Sequence, residues 1–271
     1  MTAAFSKLKA HLGTWHEWEL NPIVIKELRQ SMRSNFLTGT LLLLLSVLFL
    51  AFVACLAGQN LLVGVTQRAG LNISRALLAI LTIGSLIFVP VFTGLRMAGE
   101  RQEGALDLMF ITTLAPLQIV RGKLVSGAYL AMMFFSAGAP FMALTNQLRG
   151  VDLPTIFFVL TCLYAVVCLA IQAAILFGCL PLHAALKLFI GVLFIIGLVV
   201  VAFGLITFFS IMLQSGVGSM MGKLSFWIGF FMLMVLVFIG ILLMQAIAVS
   251  LMNTDSRPRG YFNEVIRNEL S

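Results

Sequence analysis

Six long stretches without a charged residue constrain this chain more than any other feature. They run near Phe36–Ala57, Ala76–Leu95, Leu124–Leu144, Thr155–Cys179, Leu188–Leu213 and Leu224–Leu251. A helix needs about 20 apolar residues to cross ~30 Å of hydrocarbon, and each stretch reaches that length. Hydrophobic residues make up 61% of the chain and charged residues only 10%, which is too little polarity for a water-soluble domain. The sequence therefore predicts an all-α, polytopic membrane protein with six transmembrane helices, called spans 1 to 6 below.

The links between the stretches are short and indicate a single transmembrane domain over residues 1–271. We expect an N-terminal segment over 1–35, the six-span bundle over 36–251 and a tail over 252–271. No small-residue cleavage pattern follows a short apolar core, so span 1 is expected to be retained. The four cysteines lie inside or at the ends of spans without paired spacing, which is typical of apolar filling rather than of metal or disulfide sites.

The distribution of Lys and Arg predicts the orientation of the bundle. Of the 17 basic residues, 13 fall in the N-terminal segment, the 2–3 link, the 4–5 link and the tail, and 4 fall in the alternate links. Because translocated links are depleted in Lys and Arg, both termini are predicted to be cytoplasmic. We expect a multi-pass protein of the cell membrane, the inner membrane in a bacterium. The net charge of +7 follows from this bias and from attraction to anionic lipid, and it does not indicate nucleic-acid binding.

The segment before span 1 carries a helix signal. Asn21 is a favoured cap, and Pro22 is favoured at the first position of a helix. A helical wheel from there shows an apolar face beside a basic one: Ile25, Leu28, Met32 and Phe36, then Lys26, Arg29 and Arg33. Such a helix is predicted to lie in the membrane interface with its cations near lipid phosphates. The alternative is a positively charged flank that only orients span 1.

The link between spans 2 and 3 is acidic and amphipathic. On a helix from about Ala98 to Phe110, three carboxylates share one side and three apolar side chains share the adjacent one: Glu100, Glu103 and Asp107, then Leu106, Met109 and Phe110. A docking helix needs both, because apolar side chains fill a groove while charges fix the register. A solvated loop resting on lipid headgroups explains the pattern equally well. After the link, Pro116 is expected to open the helix that enters span 3.

Three strings resemble the membrane subunits of type-2 ATP-binding-cassette (ABC) transporters. They are Asn21–Arg29 before span 1, Glu100–Asp107 after span 2, and Pro116–Lys123 before span 3. Their order and their spacing relative to the spans match that family, from about Asn21 to the last span. The resemblance implies a six-helix permease subunit, an exporter, with an interfacial helix before span 1 and a cytoplasmic coupling helix in the 2–3 link.

The resemblance also implies which residues meet a partner. The interfacial helix would contain Asn21, Pro22, Lys26, Arg29 and Arg33. The surface facing the ATPase would comprise Glu100, Arg101, Glu103, Gly104, Leu106, Asp107 and Phe110. The implied partners are ABC ATPase subunits, a second permease subunit that is identical or similar, and membrane lipid. ATP and Mg would be bound by the ATPase subunit, and this chain would bind no cofactor.

The sequence lacks the motifs of catalysis. Gly122-Lys123 has neither the glycine-rich cradle nor the following hydroxyl of a phosphate-binding loop, and the three histidines are too scattered for a metal site. We therefore expect no enzymatic activity from this chain itself. Its six uncharged stretches also disfavour an ion-coupled carrier, because such carriers bury charged groups to bind the coupling ion. A non-transporting scaffold or envelope-assembly subunit is the alternative, and a membrane enzyme is a weaker one.

A few residues interrupt the apolar pattern of the spans. Gln172 and Gln245 are predicted either to hydrogen-bond to each other or to contact a substrate. Pro90 and Pro140 are predicted kink positions. The glycine-rich link over 214–223 is predicted to be either an external turn or a short re-entrant hairpin.

Overall fold

The computed structural model describes residues 22–32, 34–61, 69–102, 116–148, 151–180, 183–218 and 222–255. Within these ranges the chain forms α-helices and one π-helical turn, without a β-strand. The helices are α1 (Pro22–Met32), α2 (Asn35–Leu61), α3 (Ala69–Ile83), α4 (Val89–Gln102), α5 (Pro116–Gln147), α6 (Leu153–Gly178), α7 (Ala184–Ser215) and α8 (Leu224–Asp255). The π turn, Gly84–Phe88, joins α3 to α4 without a break, so span 2 comprises all three.

Six helical segments are long and apolar enough to cross a membrane, which confirms the predicted all-α class and the six spans. They are Asn35–Gly58, Gly70–Glu100, Leu117–Gln147, Leu153–Gly178, Ala185–Ser215 and Leu224–Met252. Spans 2 and 3 extend several residues beyond their uncharged stretches, whereas the other four match theirs within about three residues. In spans 2 and 3 the helix continues past Arg75, Arg96 and Lys123, because long charged side chains near a helix end can reach the headgroup level.

The spans form an inner and an outer set. In the most apolar window of each span, the buried share is 50%, 39% and 44% for spans 2, 3 and 4. The corresponding share is 11%, 11% and 6% for spans 1, 5 and 6. Large side chains of the inner spans make the core, including Leu77, Phe134 and Ile171. The outer spans present their apolar side chains to the surroundings, as lipid-facing helices do.

Small residues let the inner spans approach each other closely. A Cβ atom added at Gly178 of span 4 would lie 2.8 Å from the Cβ of Met97 in span 2. One added at Gly94 would lie 3.2 Å from the Cβ of Ala174. One added at Gly127 of span 3 would lie 2.8 Å from Ile171 Cγ2. Backbone approach at glycine is the usual way in which helices associate in lipid, so spans 2, 3 and 4 pack as one unit.

The two prolines predicted as kink positions differ in their effect. The π turn Gly84–Phe88 ends two residues before Pro90. Proline has no N–H and its ring clashes with the carbonyl four residues earlier, so a widened turn at this point relieves the clash. The predicted kink at Pro90 thus coincides with a π turn, which is a type of distortion found at helix kinks. Pro140 lies inside the uninterrupted helix α5.

The link between spans 5 and 6 is a short turn in its described part, not a re-entrant hairpin. Helix α7 continues to Ser215, and Gly216 follows with φ of +67°, a left-handed conformation that favours glycine. The buried N–H of Val217 then donates to Thr155 Oγ1 at 3.0 Å. This bond docks the turn on the first helical turn of span 4.

Replacing Thr155 with valine is expected to lower the free energy of unfolding by about 1–3 kcal/mol, because the buried N–H of Val217 loses its acceptor. The thermal unfolding midpoint of the purified protein in detergent would measure this change. Thr161→Val is the matched control, since the exposed Thr161 hydroxyl binds a carbonyl of its own helix. Equal midpoints for both variants would contradict the role given to Thr155.

Candidate functional site

A buried ion-pair cluster joins three elements at the predicted cytoplasmic end of the bundle. Lys123 Nζ lies 2.7 Å from Glu27 Oε1 and 2.7 Å from Glu100 Oε2. Glu27 belongs to α1, Glu100 to the last turn of span 2, and Lys123 to the beginning of helix α5. We call these three residues the Lys123 junction. It connects the helix before span 1 to both sides of the 2–3 link.

The two contacts of Lys123 differ in kind. Lys123 Nζ donates a hydrogen bond to Glu27 Oε1. Glu100 Oε2 comes equally close, but it is not aligned for a hydrogen bond and has no such partner among the described residues, so this contact is electrostatic. The exposed fraction of the side chain is 4% for Lys123, 11% for Glu27 and 24% for Glu100. An ammonium group this buried is stabilised only while its carboxylates remain in place.

Neighbouring polar groups complete the Lys123 junction. Ser126 Oγ lies 3.5 Å from Glu27 Oε2 and donates to the carbonyl of Lys123 at 2.9 Å. A cavity of about 10 Å³ beside Glu27 is lined in part by Thr93 and by Arg96, whose guanidinium lies 5.7 Å from the ring centroid of Phe92. That volume is at the limit for one water molecule, so the cluster is closely packed.

The face of α1 that packs on the bundle is not the predicted apolar face. Val24 and Glu27 are buried, whereas Ile25 is 44% exposed and Leu28 is half-buried. The wheel assigns Glu27 to neither its apolar nor its basic face, yet Glu27 lies on the side of α1 that packs on the bundle and pairs with Lys123 of span 3. The predicted apolar face at Ile25 is left open to the surroundings.

The residues predicted for the interfacial helix are only partly described. Pro22 is the first described residue of α1, at the predicted helix start. Arg29 is exposed on α1. Lys26 belongs to α1, but its side chain is outside the described part of the structure, and Asn21 and Arg33 lie outside the described residues. The placement of α1 in the membrane interface therefore stays a prediction.

The predicted ATPase-facing surface lies mostly outside the described residues. Glu100 is the member whose side chain is described, and it belongs to the Lys123 junction. Arg101 continues the same helix, which is described to Gln102, without a described side chain. The others fall within 103–115, outside the description: Glu103, Gly104, Leu106, Asp107 and Phe110. Pro116 begins helix α5 as predicted, while the coupling helix itself stays a prediction.

Glu27 and Lys123 are site residues that the sequence patterns do not predict. Lys123 contributes only to the charge bias that orients the bundle, and Glu27 is part of a matching string without a role. One signal is present: Glu27 is the single acidic residue of α1, a helix that otherwise carries Lys26 and Arg29. An acid among cations beside a membrane span is best explained by a basic partner, which here comes from span 3.

The predicted hydrogen bond between Gln172 and Gln245 is wrong. The Gln172 side chain is fully buried in span 4, and neither its Oε1 nor its Nε2 has a hydrogen-bond partner in the described part of the chain. Gln245 of span 6 is also buried, but it does not bind the Gln172 amide. The apolar packing of spans 4 and 6 thus brings them together without this polar contact.

The opposite end of span 2 is held by a different polar contact. Arg75 Nη2 donates to Gln214 Oε1 at 3.1 Å and approaches the carbonyl of Ser210 at 3.5 Å, which ties span 2 to span 5. Span 2 therefore has polar anchors at both ends. Among the described residues, no group of three or more His, Cys, Asp or Glu side chains could hold a metal ion.

Comparisons with known proteins add no assignment: no protein-family model matches the chain, and no curated protein matches it.

Proposed function

We propose that this chain is the membrane-spanning permease subunit of an ATP-driven ABC transporter, working as an exporter with a separate ATPase subunit. The supporting observation is the Lys123 junction. Glu100 lies just before the 2–3 link and Lys123 lies soon after it, and the ion pair fixes both to Glu27 of α1. A force on the link would move α1 and the adjoining ends of spans 2 and 3 together.

The energetics of burial support such a linkage. Separating one partner from a buried ion pair costs about 3–5 kcal/mol, because a charge is then left uncompensated. The glycine contacts between spans 2, 3 and 4 extend the linkage into the membrane, since close backbone approach gives these helices extensive packing contacts with one another. Rigid-body motion of packed helices is a common way to switch a site between two arrangements.

In this proposal each partner has a place on the chain. The ATPase binds the 2–3 link through Glu100, Arg101, Glu103, Gly104, Leu106, Asp107 and Phe110. The outer spans are the most exposed, so a second permease subunit and lipid cover them. The end with the Lys123 junction, with both termini, faces the cytoplasm of a cell whose surface membrane holds the complex. ATP and Mg are bound by the ATPase subunit.

The combined change Glu103→Lys and Asp107→Lys tests this proposal. Like charges placed in a docking surface cost several kcal/mol, so we expect the ATPase activity that co-purifies with the tagged chain from its native membranes to fall at least about tenfold. The amount of chain in the membrane should be unchanged.

The matched control is Glu264→Lys with Glu269→Lys, which reverses two acidic residues of the tail and should leave the co-purified activity intact. Undiminished activity in the link variant would contradict the proposal. A preparation of the unmodified chain that carries no ATPase would also contradict it and would favour the scaffold alternative.

A further inference from the structure

A groove between spans 2, 4 and 5 opens at the end of the bundle that carries the Lys123 junction. Its volume is about 120 Å³. Its lining is apolar apart from one charged side chain, Lys187 of span 5. Representative lining residues are Pro90 and Ala98 of span 2, Phe177 of span 4, and Gly191 and Ile195 of span 5.

The groove exists because small residues occupy its walls. Gly94 and Gly178 bring spans 2 and 4 into backbone contact, and neither residue adds a side chain at the seam between them. Span 5 faces this seam with Gly191, and a Cβ atom added there would meet nothing within 4 Å. The space between the three spans is thus left open at these positions.

The groove covers one leaflet of the bilayer. Its outer end is at Lys187, in the first turn of α7, and its inner end is at Ile195, eight residues further along. Eight residues of helix rise about 12 Å, close to half of a ~30 Å hydrocarbon core. The apolar walls therefore lie at the depth of an acyl chain, and Lys187 lies at the depth of a lipid phosphate.

We propose that this groove binds an anionic phospholipid, with one acyl chain between spans 2, 4 and 5 and the phosphate beside Lys187. Lys187 Nζ lies 3.5 Å from the carbonyl of Gly178, which holds the ammonium at the mouth of the groove. The N-terminus of the 32-residue helix α7 adds positive potential at the same point. Basic pockets between transmembrane helices on the cytoplasmic side bind acidic headgroups.

Charge selects this occupant over two others. A zwitterionic phospholipid has no net charge to complement Lys187. A span from a second copy of the chain has no acidic residue within its apolar stretch, so it would bring no counter-charge to Lys187. The inference does not depend on an ATPase partner, since the groove is formed by this chain alone.

Native mass spectrometry of the full-length chain in detergent tests the inference. The probes are phosphatidylglycerol and phosphatidylcholine with identical acyl chains, titrated into delipidated protein. We expect a single tight phosphatidylglycerol site, at least about fivefold stronger than for phosphatidylcholine. Lys187→Gln should weaken phosphatidylglycerol binding about fivefold, which corresponds to ~1 kcal/mol for one cation near a lipid phosphate. Gly191→Leu should abolish the site by filling the groove.

Two matched controls separate this site from general attraction to lipid. Lys223→Gln removes an exposed lysine at the other end of the bundle, and Gly204→Leu adds a side chain in open space further along span 5. Both should bind phosphatidylglycerol as the unmodified chain does. Equal binding of the two lipids, equal losses for Lys187→Gln and Lys223→Gln, or undiminished binding by Gly191→Leu would each overturn the inference. A change of oligomeric state in Gly191→Leu without lipid would overturn it too, by assigning the groove to a second copy.

Discussion

Replacing Lys123 with methionine is expected to lower the free energy of unfolding by about 3–5 kcal/mol, a larger loss than that expected for Thr155→Val. Methionine keeps most of the volume of the side chain but removes the charge that compensates Glu27 and Glu100. Two carboxylates are then left close together in a poorly solvated place. Unfolding of the purified protein in mixed micelles, followed by circular dichroism as denaturing detergent is added, would measure the loss.

The neutral triple variant Glu27→Gln, Lys123→Met, Glu100→Gln separates charge from packing. Replacing a whole buried ion cluster with neutral groups is often close to neutral for stability, so the triple variant should recover most of the loss. Arg121→Met, which removes an exposed cation two residues away, should leave stability unchanged. A stable Lys123→Met variant, or a triple variant as unstable as the single one, would show that the junction does not hold these helices together.

Gly178→Leu is expected to produce the second-largest loss, at or above the ~1–3 kcal/mol typical of overpacking a close contact. The new side chain would meet the Cβ of Met97 at 2.8 Å and the carbonyl of Gly94 at 3.2 Å. Neither atom can move away through a change of side-chain rotamer. The Gly94 oxygen belongs to the backbone of span 2, and the Met97 Cβ is bonded to that backbone. Spans 2 and 4 would have to separate, and the same denaturation experiment would record a lower midpoint.

Gly197→Leu is the matched control for this change. Gly197 lies in span 5, and a Cβ atom added there has nothing within 4 Å, so leucine should be accepted without loss. The helix propensity of leucine is higher than that of glycine, which makes a small gain at Gly197 expected. Similar midpoints for the two leucine variants would mean that spans 2 and 4 are not held in backbone contact.

Local signals in the sequence are sufficient for the spans and for several helix boundaries. Six apolar stretches of adequate length predict the six spans, and Pro22 and Pro116 each begin a helix, because proline is accepted in the first turn of a helix. The same kind of signal locates the irregularity at Pro90. These features depend on neighbouring residues only, which is why a single sequence contains them.

The division into inner and outer spans was not predicted, although the sequence contains a signal for it. The outer spans 1, 5 and 6 have mean hydropathies of 2.8, 3.1 and 2.8, whereas the inner spans 2, 3 and 4 have 2.3, 1.5 and 2.4. Helices surrounded by lipid must be apolar on every side. Inner helices can carry small and polar residues that pack against protein, such as Gly127 and Ser126.

The partner of Glu27 in the Lys123 junction could not have been predicted from local patterns. Glu27 and Lys123 are 96 residues apart, and their contact depends on how α1 returns to span 3 after the chain has crossed the membrane twice. A helical wheel of α1 identifies its apolar face, but the face that packs on the bundle is the one that carries Glu27. The same limit applies to Gln172. A spacing rule would pair its buried amide with another polar group, yet that amide has no hydrogen-bond partner among the described residues.

The π turn of span 2 has a consequence for the orientation of everything that follows it. The side chains that face the core recur every four residues: Leu77, Leu81, Ser85, Val89, Thr93 and Met97. In a regular α-helix such a row drifts round the axis by about 40° at each step, and the wider winding at Gly84–Phe88 removes part of that drift. Inserting or deleting one residue in this segment would rotate the remainder of the span about the helix axis by about 100°. The direction in which the Glu100 side chain points toward Lys123 thus depends on the π turn, which lies more than ten residues earlier in the chain.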